Sequence, residues 1–160
     1  MSDPIKEITM PEKIAGSLAF PKDDRLHHRS LLEGLFRKGK TFYEFPLRVT
    51  WRKLTQEEVE TNFRDRVPDG IGKVQVMISV PKKKRKKAVD RVRMRRLIRE
   101  SYRLNREELR DLLESCEQIR TLSLGFVYIH DKNLPYSTVE EKMKAVLKKL
   151  CGIMVPEGQN

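Results

Sequence analysis

Three stretches of the chain alternate apolar and polar side chains, and four others repeat apolar residues every three or four positions. Phe45, Leu47, Val49 and Trp51 alternate with Pro46, Arg48 and Thr50, which predicts a strand with one apolar face. A second strand is expected over 73–80, with Val74, Val76, Ile78 and Val80 on one side and Gln75, Met77 and Ser79 on the other. A third is expected over 122–130, with Leu122, Leu124, Phe126 and Tyr128 sharing a face. Leu31, Leu32, Leu35 and Phe36 predict a short helix within 23–39, stopped at Gly39. Another helix begins near Lys87, burying Met94, Leu97, Ile98, Ser101 and Leu104. Asn105 and Glu108 have capping-box spacing, so a further helical piece with Leu109, Leu112, Leu113 and Cys116 inside is expected there. Ser137 and Glu140 have the same spacing before a final helix that buries Val139, Met143, Val146, Leu147 and Leu150 and stops at Gly152.

Between the first two strands, residues 52–72 are acidic and irregular, with a turn signal at Pro68-Asp69-Gly70. They read as a long loop with room for one more short strand. The order α-β-β(-β)-α-β-α predicts an α/β (α+β) sandwich, one small sheet packed by helices. Residues 1–19 read as a loose arm, 20–151 as a single domain and 152–160 as a frayed tail. There is no internal repeat.

Charge sets one helix apart. Residues 81–106 hold thirteen Lys and Arg side chains against only Asp90 and Glu100, a net +11, which equals the charge of the whole chain. The remaining residues balance, so the excess is one local feature. No Gly or Pro interrupts residues 82–120, and the residue types favour a helix. Arg95, Arg96, Arg99 and Arg103 fall opposite the apolar side, with Ala88 and Val92 among them and Arg91 and Arg93 flanking. A solvated helix face usually mixes signs at pairing distance; this one does not. Arg dominates Lys on the helix, and its planar fork suits phosphates and stacked bases. A nuclear-localisation run at 82–87 would not need an amphipathic helix joined to it.

Composition narrows the class further. A chain of 160 residues, 38% apolar and 36% charged, fits one domain with a modest core. Cys116 and Cys151 make no disulfide framework and are expected to be small core residues. His27 and His28 are expected at the surface, splayed apart if helical. No His/Cys pattern has zinc spacing, and no signal-peptide or membrane-spanning run stands out. A cytoplasmic protein with a polyanionic partner, and no membrane association, is expected. Glu57/Glu58 and Glu140/Glu141 read as exposed loop and capping charge, so neither a catalytic nor a metal site is expected in this chain. A DNA-binding module lacks its helix-turn-helix or zipper context.

The ordered pieces Phe20-Pro21-Lys22, Arg25-Leu26, Leu35-Phe36-Arg37-Lys38-Gly39 and Ile78-Ser79-Val80 before the lysines resemble the bacterial ribonuclease P protein component. So does Lys87-Ala88-Val89-Asp90-Arg91-Val92-Arg93-Met94-Arg95-Arg96-Leu97-Ile98-Arg99-Glu100, its Arg-rich signature helix. The resemblance covers roughly residues 20–150. It implies a fold like ribosomal protein S5 domain 2, with a left-handed crossover carrying the Arg helix. It also implies a subunit of an endoribonuclease that removes the 5′ leader of precursor tRNA, with the catalytic groups and the Mg²⁺ on the RNA subunit and no tightly bound cofactor or obligate protein partner here. Residues expected against the catalytic RNA are Lys82, Lys83, Lys86, Lys87, Arg91, Arg93, Arg95, Arg96, Arg99 and Arg103. Leu32, Phe36, Arg48 and Thr50 are expected against the leader.

Three departures from that family accompany the match. Val92 stands where the family carries Asn, removing an amide. Leu32 stands where many members carry an aromatic ring, and the 52–72 segment is long. The competing expectation is a structural or ribosomal RNA-binding protein, which need not prefer tRNA with a 5′ extension.

Overall fold

The computed structural model describes residues 20–63 and 66–155; the arm expected over 1–19 lies outside them. A 3-10 turn at Lys22–Asp24 leads into helix α1, Arg29–Lys38. Strands β1, Lys40–Glu44, and β2, Leu47–Leu54, form a hairpin across a cis Phe45–Pro46 bond. Helix α2, Gln56–Asn62, precedes β3, Val74–Ser79. Helices α3, Ala88–Asn105, and α4, Glu107–Glu114, connect β3 to β4, Thr121–Tyr128, and α5, Tyr136–Met154, closes the fold.

The sheet has the order β1-β2-β4-β3. It is mixed: β2 runs antiparallel to β1 and β4, and β3 runs parallel to β4. A parallel pair needs a long crossover, here supplied by α3 and α4. The alternation of the sequence sorts the faces as expected. Leu47, Val49, Trp51, Val74, Val76, Leu122, Leu124, Phe126 and Tyr128 form one core with α3 and α5. Leu26, Leu31, Leu35, Leu54, Val59 and Ile71 form a smaller one on the other side, with Met77 packed against it. Every residue of β4 is buried, because helices cover both faces of that strand.

Several sequence expectations need correcting. Residues 52–72 are not one loop: β2 runs on to Leu54, and α2 follows it. Thr55 Oγ1 accepts from the Glu58 N–H at 3.2 Å, and Glu58 Oε1 accepts from the Thr55 N–H at 3.0 Å. Such a box contributes about 1 kcal/mol, which a helix burying only Val59 needs. The extra strand is instead β1, an edge strand with no fully buried residue and hence no apolar alternation to read.

The boxes expected at Asn105 and Ser137 do not form. The Asn105 amide donates to the Ser101 carbonyl at 2.7 Å and to Glu140 Oε2 at 3.1 Å, tying α3 to α5. Helix α5 starts at Tyr136 after Pro135, and Glu140 Oε2 accepts the Tyr136 hydroxyl at 3.0 Å. Nor does Gly152 stop α5, which runs on to a buried Met154. Packing beyond Gly152 outweighs the roughly 1 kcal/mol that a helical glycine forfeits.

Gly39 does end α1, though with an ordinary negative φ. A side chain there would meet the Leu35 carbonyl at 2.3 Å and Thr50 Cγ2 at 2.9 Å, so the turn into β1 needs the missing Cβ. Cys116 lies past the end of α4, and both cysteines are half-buried and unpaired. His27 and His28 precede α1 rather than lying within it, and hold their rings 4.3 Å apart.

Candidate nucleic-acid interface

Helix α3 is amphipathic as its sequence demands. Met94, Leu97, Ile98, Ser101 and Tyr102 are buried against the sheet and α5. Each large apolar side chain among them contributes on the order of 1.5–3 kcal/mol by leaving water. That packing fixes the opposite face, where Arg93, Arg96 and Arg99 are exposed and Arg95 is half-buried. These four guanidinium groups make no hydrogen bond or ion pair within the described residues. Val89 and Val92 are exposed among them, at 71% and 46%.

The lysine run is a built turn. The Lys84 and Arg85 N–H groups both donate to the Pro81 carbonyl at 3.0 Å. Arg85 is an anchor: it pairs with Asp90 at 3.0 Å, donates to Asn133 Oδ1 at 2.9 Å and reaches the Asp131 carbonyl. Arg91, expected to project outward, folds back and donates to the carbonyls of Arg85 at 3.0 Å and Lys86 at 2.7 Å. Lys82, Lys83, Lys86 and Lys87 are left exposed, and the last three line a hollow with Lys84, Arg85, Asp90 and Asp131.

Two more arginines of the segment have internal roles. Arg103 lies half-buried against Glu100, with Nε to Oε2 and Nη2 to Oε1 both at 2.8 Å. Its hydrogen bonds to Glu100 hold its pKa above the ordinary arginine value. Arg106 is a core residue, 2% exposed, paired with Asp24 at 2.9 Å and lying over the Phe20 and Tyr102 rings. The outward-facing charge is therefore carried by four arginines of α3 and the exposed lysines.

Strand register assembles the second half of the site. On the α1 side of the sheet, Thr41, Thr50, Gly125 and Met77 make one cross-strand row, and Tyr43, Arg48, Val127 and Ser79 make the next. Gly125 lets α1 lie close: a Cβ there would sit 3.2 Å from Leu35 Cδ2 and 3.5 Å from Phe36 Cζ. Phe36 remains 47% exposed and lines an open apolar hollow with Leu32, Glu33 and Arg37. The expected leader residues thus share one side of the molecule. Thr50 lies buried in the sheet, 4% exposed, with its hydroxyl 3.1 Å from that of Thr41.

Sequence reasoning missed Tyr43, 63% exposed and opposite Arg48, because β1 itself was missed. At the β3 edge the second row ends on Ser79, two residues before Pro81 and the lysine turn. The α1 side of the sheet and the basic surface are therefore joined by the chain itself. Among the described residues no group of three His, Cys, Asp or Glu side chains could hold a metal ion, and no helix is long and apolar enough to cross a membrane.

Comparison with known proteins agrees with this architecture. The sequence model of the family described as Ribonuclease P matches residues 20–151. A curated Porphyromonas gingivalis protein named Ribonuclease P protein component is 32% identical over 131 residues, covering 82% of this chain and 85% of that protein. The solved Staphylococcus aureus RNase P protein superposes with a TM-score of 0.55 at 17% identity, covering 79% of this chain and 94% of that one. The Thermotoga maritima RNase P protein gives 0.53 at 21% identity, covering 78% and 96%. Those two likenesses concern the fold, whereas the match over 20–151 and the 32% relative establish descent: the chain belongs to the ribonuclease P protein component family.

Proposed function

We propose that this chain binds the catalytic RNA of ribonuclease P along α3 and the lysine turn, and holds the 5′ leader of precursor tRNA in the trough beside α1. The observation that carries this reading is the set Arg93, Arg95, Arg96 and Arg99, fixed by a packed helix and unneutralised by any carboxylate among the described residues. Such a surface is self-repulsive until a polyanion covers it. Binding phosphates there releases counterions, so affinity falls with salt by a slope of roughly 0.7–0.9 per phosphate contact. Relief of phosphate repulsion lets the RNA subunit fold and hold substrate at lower Mg²⁺.

Leader contact separates substrate from product, because only the precursor has a leader. Phe36 and Tyr43 supply ring faces and Arg48 a positive charge, the combination that holds single strands with little sequence reading. The described residues offer no cluster that fits a resident metal ion. On family membership we assign Mg²⁺ and the hydrolytic chemistry to the RNA subunit, and we place the holoenzyme in the cytoplasm without an obligate protein partner.

Reconstitution with a bacterial catalytic RNA at low Mg²⁺ tests the reading. Leader cleavage is expected where the RNA alone is nearly idle, and absence of stimulation overturns it. Equal affinity for precursor and mature tRNA would favour a structural RNA-binding role.

A further inference from the structure

One end of the sheet carries a feature that neither the Arg face nor the trough uses. The β1–β2 turn, the end of β4 and the end of β3 meet there: the Ile129 N–H donates to the Pro46 carbonyl at 2.8 Å, and Ser79 pairs with Val127. Phe45 stands at this turn, 54% exposed. Its ring is set edge-to-face with that of His130, centroids 5.0 Å apart and planes at 60°. His130 is itself braced, its ring near Tyr128 and its Nδ1 3.3 Å from Asp131 Oδ1. One exposed aromatic means little. A ring steadied by a second ring, with half its surface still open, is a preformed platform.

The neighbourhood says what covers it. The loop that begins with His130, whose ring steadies Phe45, also anchors the lysine turn, through Arg85 to the Asp131 carbonyl and to Asn133. The hollow of Lys83, Lys86 and Lys87 has Asp131 on its wall. An open ring and a cluster of ammonium groups thus flank one short loop. A protein partner's apolar patch would have to enter unbalanced positive charge. A duplex would offer phosphates but no free base face.

We propose that Phe45, braced by His130, stacks an unpaired RNA base while the lysine turn takes the adjoining phosphates. This deepens the proposed function and rests on the chain being an RNA-binding subunit. The unpaired nucleotide belongs either to the leader or to a single-stranded part of the catalytic RNA, and the chemistry recognised is the same.

The test uses the full chain with Phe45→Leu, which keeps apolar bulk and loses the π-face, and Phe45→Trp, which keeps both. A short single-stranded RNA carrying 2-aminopurine reports stacking directly by quenching. Phe45→Leu should weaken binding by roughly fivefold or more and reduce the quench, and Phe45→Trp should retain both. In the holoenzyme, loss confined to precursor over mature tRNA assigns the nucleotide to the leader. Loss in assembly with the catalytic RNA assigns it there. If Phe45→Leu matches wild type in every assay, or if Phe45→Trp fails to restore what Phe45→Leu loses, the platform is overturned. A wild-type chain that binds RNA yet is indifferent to Phe45 defeats only this proposal; one that binds no RNA defeats the proposed function with it.

Discussion

Asp90 lies 3.0 Å from Arg85 inside the densest positive charge of the chain, and its other carboxylate oxygen accepts the Asn133 amide at 3.0 Å. The pair is largely shielded, with side chains 18% and 21% exposed. Asp90 also stands in the first turn of α3, where a negative charge is favoured. Asp90→Ala should therefore cost about 1–3 kcal/mol in urea unfolding, since it removes the carboxylate that Arg85 and the Asn133 amide share. Its effect on RNA separates two views of the surface. If charge alone mattered, removing a carboxylate would tighten binding. If the turn's geometry matters, affinity for the catalytic RNA falls despite the added net charge, and that fall is the expected result.

Within α3 the arginines should divide by partner. Arg96→Ala and Arg99→Ala each remove an exposed guanidinium that has no partner among the described residues. Each should lower the salt slope of RNA binding by about 0.7–0.9 and leave the melting temperature nearly unchanged. Arg103→Ala instead leaves Glu100 half-buried without its bidentate partner. It should cost about 1 kcal/mol in stability with a smaller change in slope. Titrations at several salt concentrations, run beside denaturation curves, distinguish the two classes.

The division was not legible in the sequence, and the reason is distance along the chain. Helical periodicity located the buried side of α3, because Met94, Leu97, Ile98 and Ser101 are local in spacing. It could not show that Arg85 meets Asp131 and Asn133, or that Arg106 meets Asp24, since those partners come from other elements. Capping rules failed for the same reason: Asn105 and Glu140 fit their boxes locally but are claimed by each other across α3 and α5. The rule held at Thr55 and Glu58, where no tertiary partner competes, in a helix too short for its single buried residue to show a period. Strands buried on one face announced themselves, whereas β1, an exposed edge, did not.

Stability should also respond to pH through His28. Its Nε2 is buried without a partner, and its ring stands edge-on to Phe63 at 5.6 Å. Burial pushes its pKa below the ordinary 6.5, with the neighbouring His27 and Lys22 adding to the shift. The unfolded chain then binds a proton more readily than the folded one. The contribution is complete above about pH 6.5 and is lost as pH falls through that value toward the lower folded pKa. Denaturation curves between about pH 7.5 and 5.5 should show wild type weakening. His28→Phe, which keeps a ring against Phe63, should flatten that dependence; an unchanged slope would assign it to other groups.

Gly125 offers a way to disturb the trough while sparing the Arg face. It lies on the α1 side of β4, whereas α3 packs against the opposite face. Its Cβ position is 3.2 Å from Leu35 Cδ2, 3.3 Å from Met77 Sδ and 3.5 Å from Phe36 Cζ, so alanine requires shifts of only a few tenths of an ångström. Valine adds two methyl groups to a filled space and should cost about 1–3 kcal/mol. The strain is relieved most easily by lifting α1, which carries Leu32 and Phe36 away from Arg48 and Thr50 on the sheet. Gly125→Val should therefore shrink the preference for precursor over mature tRNA while retaining affinity for the catalytic RNA. Phe36→Ala should shrink that preference without the overpacking penalty. Dissociation constants for both tRNAs and for the catalytic RNA, measured on the same preparations, decide the matter. A Gly125→Val chain that loses all three affinities together would show that the two faces of the sheet are not separable.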